Sequence, residues 1–355
     1  MRASLLHRFF DYYLGIFLVY FLSFFKKKIK KPDKYEYIGL LKPVALGDLT
    51  LISGILIDLK KNFPKTKVIL FAGKDNSILV PFLENINQLE IIDVKRPFLA
   101  LQKIRKYKID LLIDFCSWPR INALLTFFSN CKYSIGFKTK GQNRHYLYDE
   151  YVIHSSEVHE IQNYRNLLKV INLESNSDPK IIFNSNNLGH KNHVIFHLFA
   201  GGSNSEKKEW SFESWKNILK FFEDKNIQIY LTGSKSDFDK NQNFINYCSY
   251  KNIINFSNQH FENVLEIIKT SALVISVNTG IMHIAAALEV PTIGLSGPTN
   301  INRWGAIGKH TVNIEPKVMG CGYLNLGFEY KNNRNDCMQF IDKEDIIMEI
   351  KKIIK

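Results

Sequence analysis

The chain has 355 residues, 45% of them hydrophobic, which supports a sizeable core and favours two domains over one. The formal net charge is +13, from 47 Lys and Arg against 34 Asp and Glu, and the composition excludes disordered, collagenous and coiled-coil classes. The five cysteines, Cys116, Cys131, Cys248, Cys321 and Cys337, are few and widely spaced, which argues against a disulfide framework and for a reducing compartment.

Residues 1–34 carry eight Lys and Arg against Asp11 and Asp33, a net +6. Within them, 12–25 read YYLGIFLVYFLSFF, an unbroken apolar run of 14. As a helix this run spans roughly 21 Å, against a hydrocarbon core of roughly 30 Å. Extending it back to Leu5 reaches membrane length only by including His7, Arg8 and Asp11. No small-residue cleavage site follows Phe25. The segment reads as a helix lying on an anionic membrane surface, with a true span and a helix packed on protein as the other readings. The lysines after it would hold the following chain on the cytoplasmic side.

After Pro32, strands and amphipathic helices alternate. Strands are expected at 37–41, 67–71, 90–94, 110–114 and 133–137, and helices at 49–61, 78–84, 99–106, 120–128 and 159–170. The polar stretch 172–187 reads as a link between domains. A second alternation has strands at 194–198, 228–232, 253–255, 272–276, 292–296 and 311–314. Its helices are expected at 212–224, 237–248, 261–270, 280–287 and 343–353. The resulting division is a membrane-associating segment 1–34, a domain 35–171, a linker 172–192, a domain 193–340, and a final helix 341–355 that can pack back on the first domain. Two parallel sheets with helices on both faces place a ligand cleft between the domains, near the carboxyl ends of the strands.

Gly47-Asp48 follows the first strand. A carboxylate there can act as a general base, and can equally cap the next helix. Residues 198–210, LFAGGSNSEKKEW, feed a Gly/Ser loop with two lysines into a helix, a setting suited to phosphate. Residues 276–288, SVNTGIMHIAAAL, bring amides, the Thr279 hydroxyl and the His283 imidazole to the start of a small-residue helix. His283 also reads as a capping or solvent-facing residue, and the alanines as close helix–sheet packing. Arg303, in GPTNINRW, reads as a phosphate or sugar contact or as surface charge. Cys321 and Cys337 read as buried thiols, with a redox pair or half a metal site as alternatives. Neither a Walker pattern nor GxGxxG is present, and no homeodomain, zinc-finger or RNA-binding-sheet pattern points to nucleic acid.

In order and spacing these pieces resemble glycosyltransferase family 9, the heptosyltransferases of lipopolysaccharide core assembly, over roughly 38–340. The most specific part is the block 276–308, where TGxxHxAAAL is followed by a proline, a strand and GPT. The resemblance implies a GT-B fold: two Rossmann-like domains facing each other across a cleft. It implies Asp48 of LGD as the catalytic acid and Gly47, Arg120 and His159 as acceptor-side residues. Donor-binding positions would be Ser203, Asn204, Lys208, Asp237, Asn278, Thr279, Gly280 and His283. One departure is Asn278, where family members commonly have Asp; the amide keeps the shape and removes a charge.

The implied reaction is inverting transfer of heptose from ADP-L-glycero-β-D-manno-heptose to a lipid A-linked inner-core acceptor at the cytoplasmic face of the inner membrane. No tightly bound cofactor and no metal are expected. The alternatives are a related transferase using another nucleotide sugar such as a UDP-sugar, an inactive membrane-bound family member, and an unrelated sugar-nucleotide enzyme such as an epimerase.

Overall fold

The computed structural model describes residues 5–185, 192–202, 204–248, 250–326 and 334–354. The chain divides into two compact units, Met1–Ser177 and Asp178–Lys355. The division falls inside the polar stretch between the two alternations.

The first unit opens with α1 (Leu5–Ser23) and continues through β1 (Tyr37–Lys42), α2 (Leu46–Asn62), β2 (Lys67–Ala72), β3 (Gln88–Ile91) and α3 (Pro97–Ile104). It then runs through β4 (Leu111–Asp114), α4 (Arg120–Phe128), β5 (Tyr133–Lys138), β6 (Glu150–Ile153) and α5 (Glu160–Lys169). Its six parallel strands lie in the order β3-β2-β1-β4-β5-β6. This is the doubly wound order, whose direction of winding reverses between the first and fourth strands. The loops at the carboxyl ends of β1 and β4 therefore flank the crevice where such sheets bind ligands.

Two local features set the loop after β1. Ala45 takes a left-handed φ of 70° and its carbonyl accepts from Leu49 N, so the helix begins earlier than the sequence periodicity indicates and carries Gly47 and Asp48 in its first turn. Gly73, after β2, lies against the Pro43 carbonyl; a Cβ there would sit 1.9 Å from that oxygen. The buried Asn76 closes the contact, accepting from Gly73 N and donating to Lys42 O, each at 2.9 Å.

Among the described residues no helix is long and apolar enough to cross a membrane. Instead α1 packs one face on the first unit. Leu18, Val19 and Leu22 meet Ala123, Leu124 and Phe127 of α4 and Leu147 of the 3-10 turn Arg144–Leu147. Asp11 Oδ1 accepts from Ile121 N at 3.0 Å, and Lys26 pairs with Asp149 at 2.8 Å. The other face is solvent-exposed and aromatic, with Phe17 62% and Phe21 51% accessible.

The second unit contains β7 (His193–His197), α6 (Phe212–Leu219), β8 (Gln228–Gly233), α7 (Phe238–Cys248), β9 (Ile253–Ser257) and α8 (Phe261–Lys269). It is completed by β10 (Leu273–Val277), α9 (Gly280–Ala287), β11 (Thr292–Leu295), α10 (Ile301–Trp304), β12 (Thr311–Ile314) and α11 (Lys343–Ile353). The strand order is β12-β11-β10-β7-β8-β9, the same winding repeated, with its reversal between β7 and β10.

The structure places the closing helix and corrects the reading of two cysteines. The closing helix α11 belongs to the second unit: Ile346 and Ile350 are buried in the same core cluster as Trp215 and Leu219. Its apolar face is satisfied there. Cys321 and Cys337 form a disulfide, with Cα atoms 5.6 Å apart. Left-handed turns at Gly320 and Gly322, and the bond from Gly322 N to Gly297 O, bring Cys321 back beside the 3-10 turn Cys337–Phe340.

The Gly73 contact yields a direct test. Gly73→Ala should destabilise the protein by roughly 1–3 kcal/mol, because the new methyl displaces the Pro43 carbonyl and with it the loop after β1. Chemical denaturation of the two proteins measures this, and an unchanged midpoint would refute the close approach.

Candidate active site

Asp48 sits at the carboxyl end of the first sheet. The cap interpretation fails locally, because α2 starts from Ala45 with no side-chain cap bond. The carboxylate turns instead toward Lys42, the last residue of β1. Lys42 Nζ donates to Asp48 Oδ1 at 3.0 Å, to Tyr164 OH at 2.9 Å and to Phe115 O at 3.2 Å. Tyr164 in turn donates its hydroxyl to the same Oδ1. Lys42 and Tyr164 are buried, whereas the Asp48 side chain retains 19% exposure. Among the described residues no hydrogen bond reaches Oδ2. The carboxylate is held by one oxygen and offers the other.

The electrostatics follow from this arrangement. Burial, the largest single cause, would lower the Lys42 pKa, but the Asp48 charge, the other acidic groups nearby and the Asp48 hydrogen bond together outweigh it, and the ammonium titrates above its ordinary value. Burial first, and the Asp48 charge second, push the Tyr164 phenol well above its ordinary value. At neutral pH Lys42 is therefore a cation and Tyr164 a neutral phenol donor.

A second buried group stands behind β4. Arg144 and Asp114 are both fully buried and paired, and Tyr148 donates to Asp114 Oδ2 at 2.6 Å. Burial, the largest single cause, would lower the Arg144 pKa, but the Asp114 charge together with Tyr148 and Cys116 raises it above its ordinary value. Burial, then the Asp114 charge, pushes the Cys116 thiol up to about 12, so that sulfur stays protonated.

The acceptor-side residues fall into different settings. Arg120 is 2% exposed, donates to Gly141 O at 3.1 Å and lies 3.4 Å and 3.5 Å from the Asp11 carbonyl and carboxylate. Its guanidinium is thus committed to α1 and to the loop before Arg144. His159 caps α5, accepting from Ile161 N at 3.2 Å. Gly47 is half-buried in the first turn of α2.

In the second unit, Ser203 lies outside the described residues. Asn204 is left-handed, with φ 51°, and opens the 3-10 turn Ser205–Lys208, which leaves Lys208 half-buried at its end. Asp237 closes a capping box, its Oδ2 accepting from Ser234 N at 2.8 Å and Ser234 Oγ at 2.6 Å. Thr279 and Gly280 open α9 at the carboxyl end of β10, and His283 lies buried on that helix. The buried Thr279 Oγ1 has no hydrogen-bond partner among the described residues. Arg303 is fully buried rather than surface charge, and its Nε donates to Asn325 O at 3.0 Å.

Asn278 explains its own departure from Asp. Its amide donates to Ser296 Oγ and to Trp304 O, both at 3.0 Å, tying the ends of β10 and β11 to α10. A carboxylate has no proton to donate to a carbonyl. Among the described residues no cluster of three or more His, Cys, Asp or Glu could hold a metal ion.

Lys42 and Tyr164 were missed in the sequence. A lysine ending an otherwise apolar strand was the signal for the first. Tyr164, 116 positions from Asp48, left none.

Two doubly wound units of identical strand order, with candidate ligand residues at the carboxyl ends of their strands, define the GT-B class of α/β protein. The family model described as glycosyltransferase family 9 (heptosyltransferase) matches residues 99–321, more than half of the chain, and the chain belongs to that family. Lipopolysaccharide heptosyltransferase 1 of Escherichia coli K12 is 26% identical over 114 residues, which are 32% of this chain and 35% of that protein. The match therefore spans about a third of this curated relative. A family 9 glycosyltransferase from Veillonella parvula superposes with a TM-score of 0.75 at 16% identity, covering 92% of this chain and 99% of the other. An E. coli heptosyltransferase solved with ADP-2-deoxy-2-fluoro heptose gives 0.70 at 15% identity, covering 89% and 99%. These likenesses establish the fold.

Asn278→Asp should lower stability by roughly 1–3 kcal/mol, since it removes two donated bonds and sets a charge against the Trp304 carbonyl. A variant with the family's Asp that melts at the wild-type temperature would show that the amide is not needed there.

Proposed function

We propose that this chain transfers heptose from ADP-L-glycero-β-D-manno-heptose to a lipid A-linked inner-core acceptor, with inversion at the anomeric carbon. The carrying observation is Asp48, anchored through Oδ1 by Lys42 and Tyr164 with Oδ2 left to a substrate. Membership of the heptosyltransferase family and the ADP-heptose analogue in a protein of like fold support the choice of donor.

In this reading Asp48 Oδ2 accepts the proton of the acceptor hydroxyl as its oxygen bonds to the anomeric carbon. The bond from that carbon to the diphosphate oxygen breaks, and ADP leaves with the electron pair. Lys208, the Thr279 hydroxyl and the first amides of α9 receive the diphosphate and stabilise its developing charge. His283 lies next to them on α9. Asn204 opens the turn that ends at Lys208, and Asp237 would reach the donor ribose only by giving up its capping bonds.

Asp48→Asn keeps the size of the side chain and removes the base. It should lose about 10²-fold or more in kcat with ADP-heptose and a heptose-deficient lipopolysaccharide acceptor, in a protein that still folds but melts at a lower temperature, because the buried Lys42 ammonium keeps an acceptor and loses its countercharge. Turnover near the wild-type rate would remove Asp48 from the mechanism.

The proposed location is the cytoplasmic face of the inner membrane, with α1 in the plane of an anionic bilayer. Its exposed Phe9, Phe10, Phe17, Phe21 and Phe24 form an aromatic face, followed by Lys26, Lys27, Lys28, Lys30, Lys31 and Lys34. Each phenylalanine buried in lipid contributes roughly 1.5–3 kcal/mol. Phe17→Glu with Phe21→Glu should weaken binding to phosphatidylglycerol vesicles by at least about tenfold while sparing turnover on a soluble acceptor analogue. Undiminished co-sedimentation of the double variant would place the membrane contact elsewhere.

A further inference from the structure

We propose that Tyr164 and Lys42 are positioning residues for transfer, pinning Oδ1 of Asp48 so that Oδ2 alone is aimed at the acceptor hydroxyl. The inference rests on Asp48 being the base.

The directions of the three hydrogen bonds are set by chemistry. An ammonium only donates, so the Tyr164 oxygen must accept from Lys42 and spend its own proton on Asp48. Lys42 has three N–H groups, and Asp48, Tyr164 and Phe115 O take all of them. Neither residue has a proton left for a substrate. Both therefore act through Asp48.

Each member of the clamp is itself held. Tyr164 packs edge-on to Phe115 at 5.4 Å between ring centres and lies 6.4 Å from Phe137. The helix that carries it is capped by His159, and Asn163 donates to Ser155 O at 2.9 Å. Lys42 is fixed through its strand and through the bond from Asn76 to its carbonyl. A carboxylate with two donors on one oxygen cannot rotate without breaking both. The geometry of proton transfer is thus settled before substrate arrives, which is where an enzyme gains from preorganisation.

The experiment is a double-mutant cycle in the full chain, read as ADP release from ADP-heptose with heptose-deficient lipopolysaccharide. Tyr164→Phe keeps both ring contacts and removes only the hydroxyl. It should lower kcat by about tenfold or more with donor KM unchanged, the scale of a lost hydrogen bond to a charged group. In the Asp48→Asn background it should cost little further, because the group it orients is gone. Wild-type kcat for Tyr164→Phe, or a double variant slowed by the full product of the two single effects, would overturn the proposal while leaving Asp48 as the base. Wild-type turnover of Asp48→Asn alone would instead sink the underlying reading. Should Tyr164→Phe fail to fold, Lys42→Gln is carried through the same cycle with the same expectation and the same overturning results.

Discussion

A lysine ammonium cannot be buried without acceptors, and the first unit is organised around the one at Lys42. Taking such a charge out of water costs several kcal/mol unless it is paired and fully hydrogen-bonded. Here the acceptors come from three separate places: Asp48 in α2, Tyr164 in α5 and the Phe115 carbonyl after β4. Satisfying one ammonium therefore fixes the relative positions of two helices and a loop at the carboxyl end of the sheet. Removing any of the three would leave a buried polar atom short of a partner. The same bonds that stabilise this end of the fold also orient the Asp48 carboxylate.

The second unit fastens the corresponding loops with amide, indole and guanidinium donors. The loops after β10 and β11 are joined by the Asn278 amide, and the segment around Asn325 is held by Arg303 and by Trp304 Nε1 at 2.7 Å. The disulfide closes the same region from its other side. What remains without a hydrogen-bond partner among the described residues at the start of α9 is the buried Thr279 hydroxyl, a group that suits an anion without a fixed countercharge. The departure at Asn278 belongs to this framework. It reports how the loops are fastened and does not by itself speak against the family's donor.

Alternation of apolar and polar periods is local, so most strands and helices were legible in the sequence, and with them the doubly wound class. The sixth strand of the first sheet was not. Glu150–Ile153 is a short edge strand whose side chains alternate between half-buried and exposed, and its pattern is hard to tell from a loop. The start of α2 was misplaced because a left-handed alanine is invisible to propensity. At the site, Asp48 could be found because it lies in a short motif after a strand. Its partner Tyr164 could not, because nothing in a helix of mixed composition says which residue will meet a carboxylate 116 positions away. For Arg303 only the surface-charge reading fails, and for the same reason: a charged residue can read as surface until its distant carbonyl partner is known. The pairing of Cys321 with Cys337 depended on two glycine turns that bring distant positions together.

The N-terminal helix shows how such long-range pairing changes the meaning of a motif residue. Arg120 occupies a position that the family resemblance places on the acceptor side, yet its guanidinium lies against Asp11, and the same carboxylate accepts from the Ile121 amide in the first turn of α4. Burial lowers the Arg120 pKa while the Asp11 charge works against that shift, so the cation depends on α1 for part of its stabilisation. Stripping α1 away would also uncover Ala123, Leu124 and Leu147. The helix is therefore a component of the first unit and not an appendage. Arg120 follows β4 as Asp48 follows β1, and the strands are parallel, so the amino-terminal half of α1 lies at the same end of the sheet as Asp48. A membrane surface engaged by its aromatic face would then meet the first unit at a fixed angle. A lipid-linked acceptor would be presented near the end of the sheet that carries the carboxylate. An unattached tether would supply affinity for the bilayer but none of that orientation.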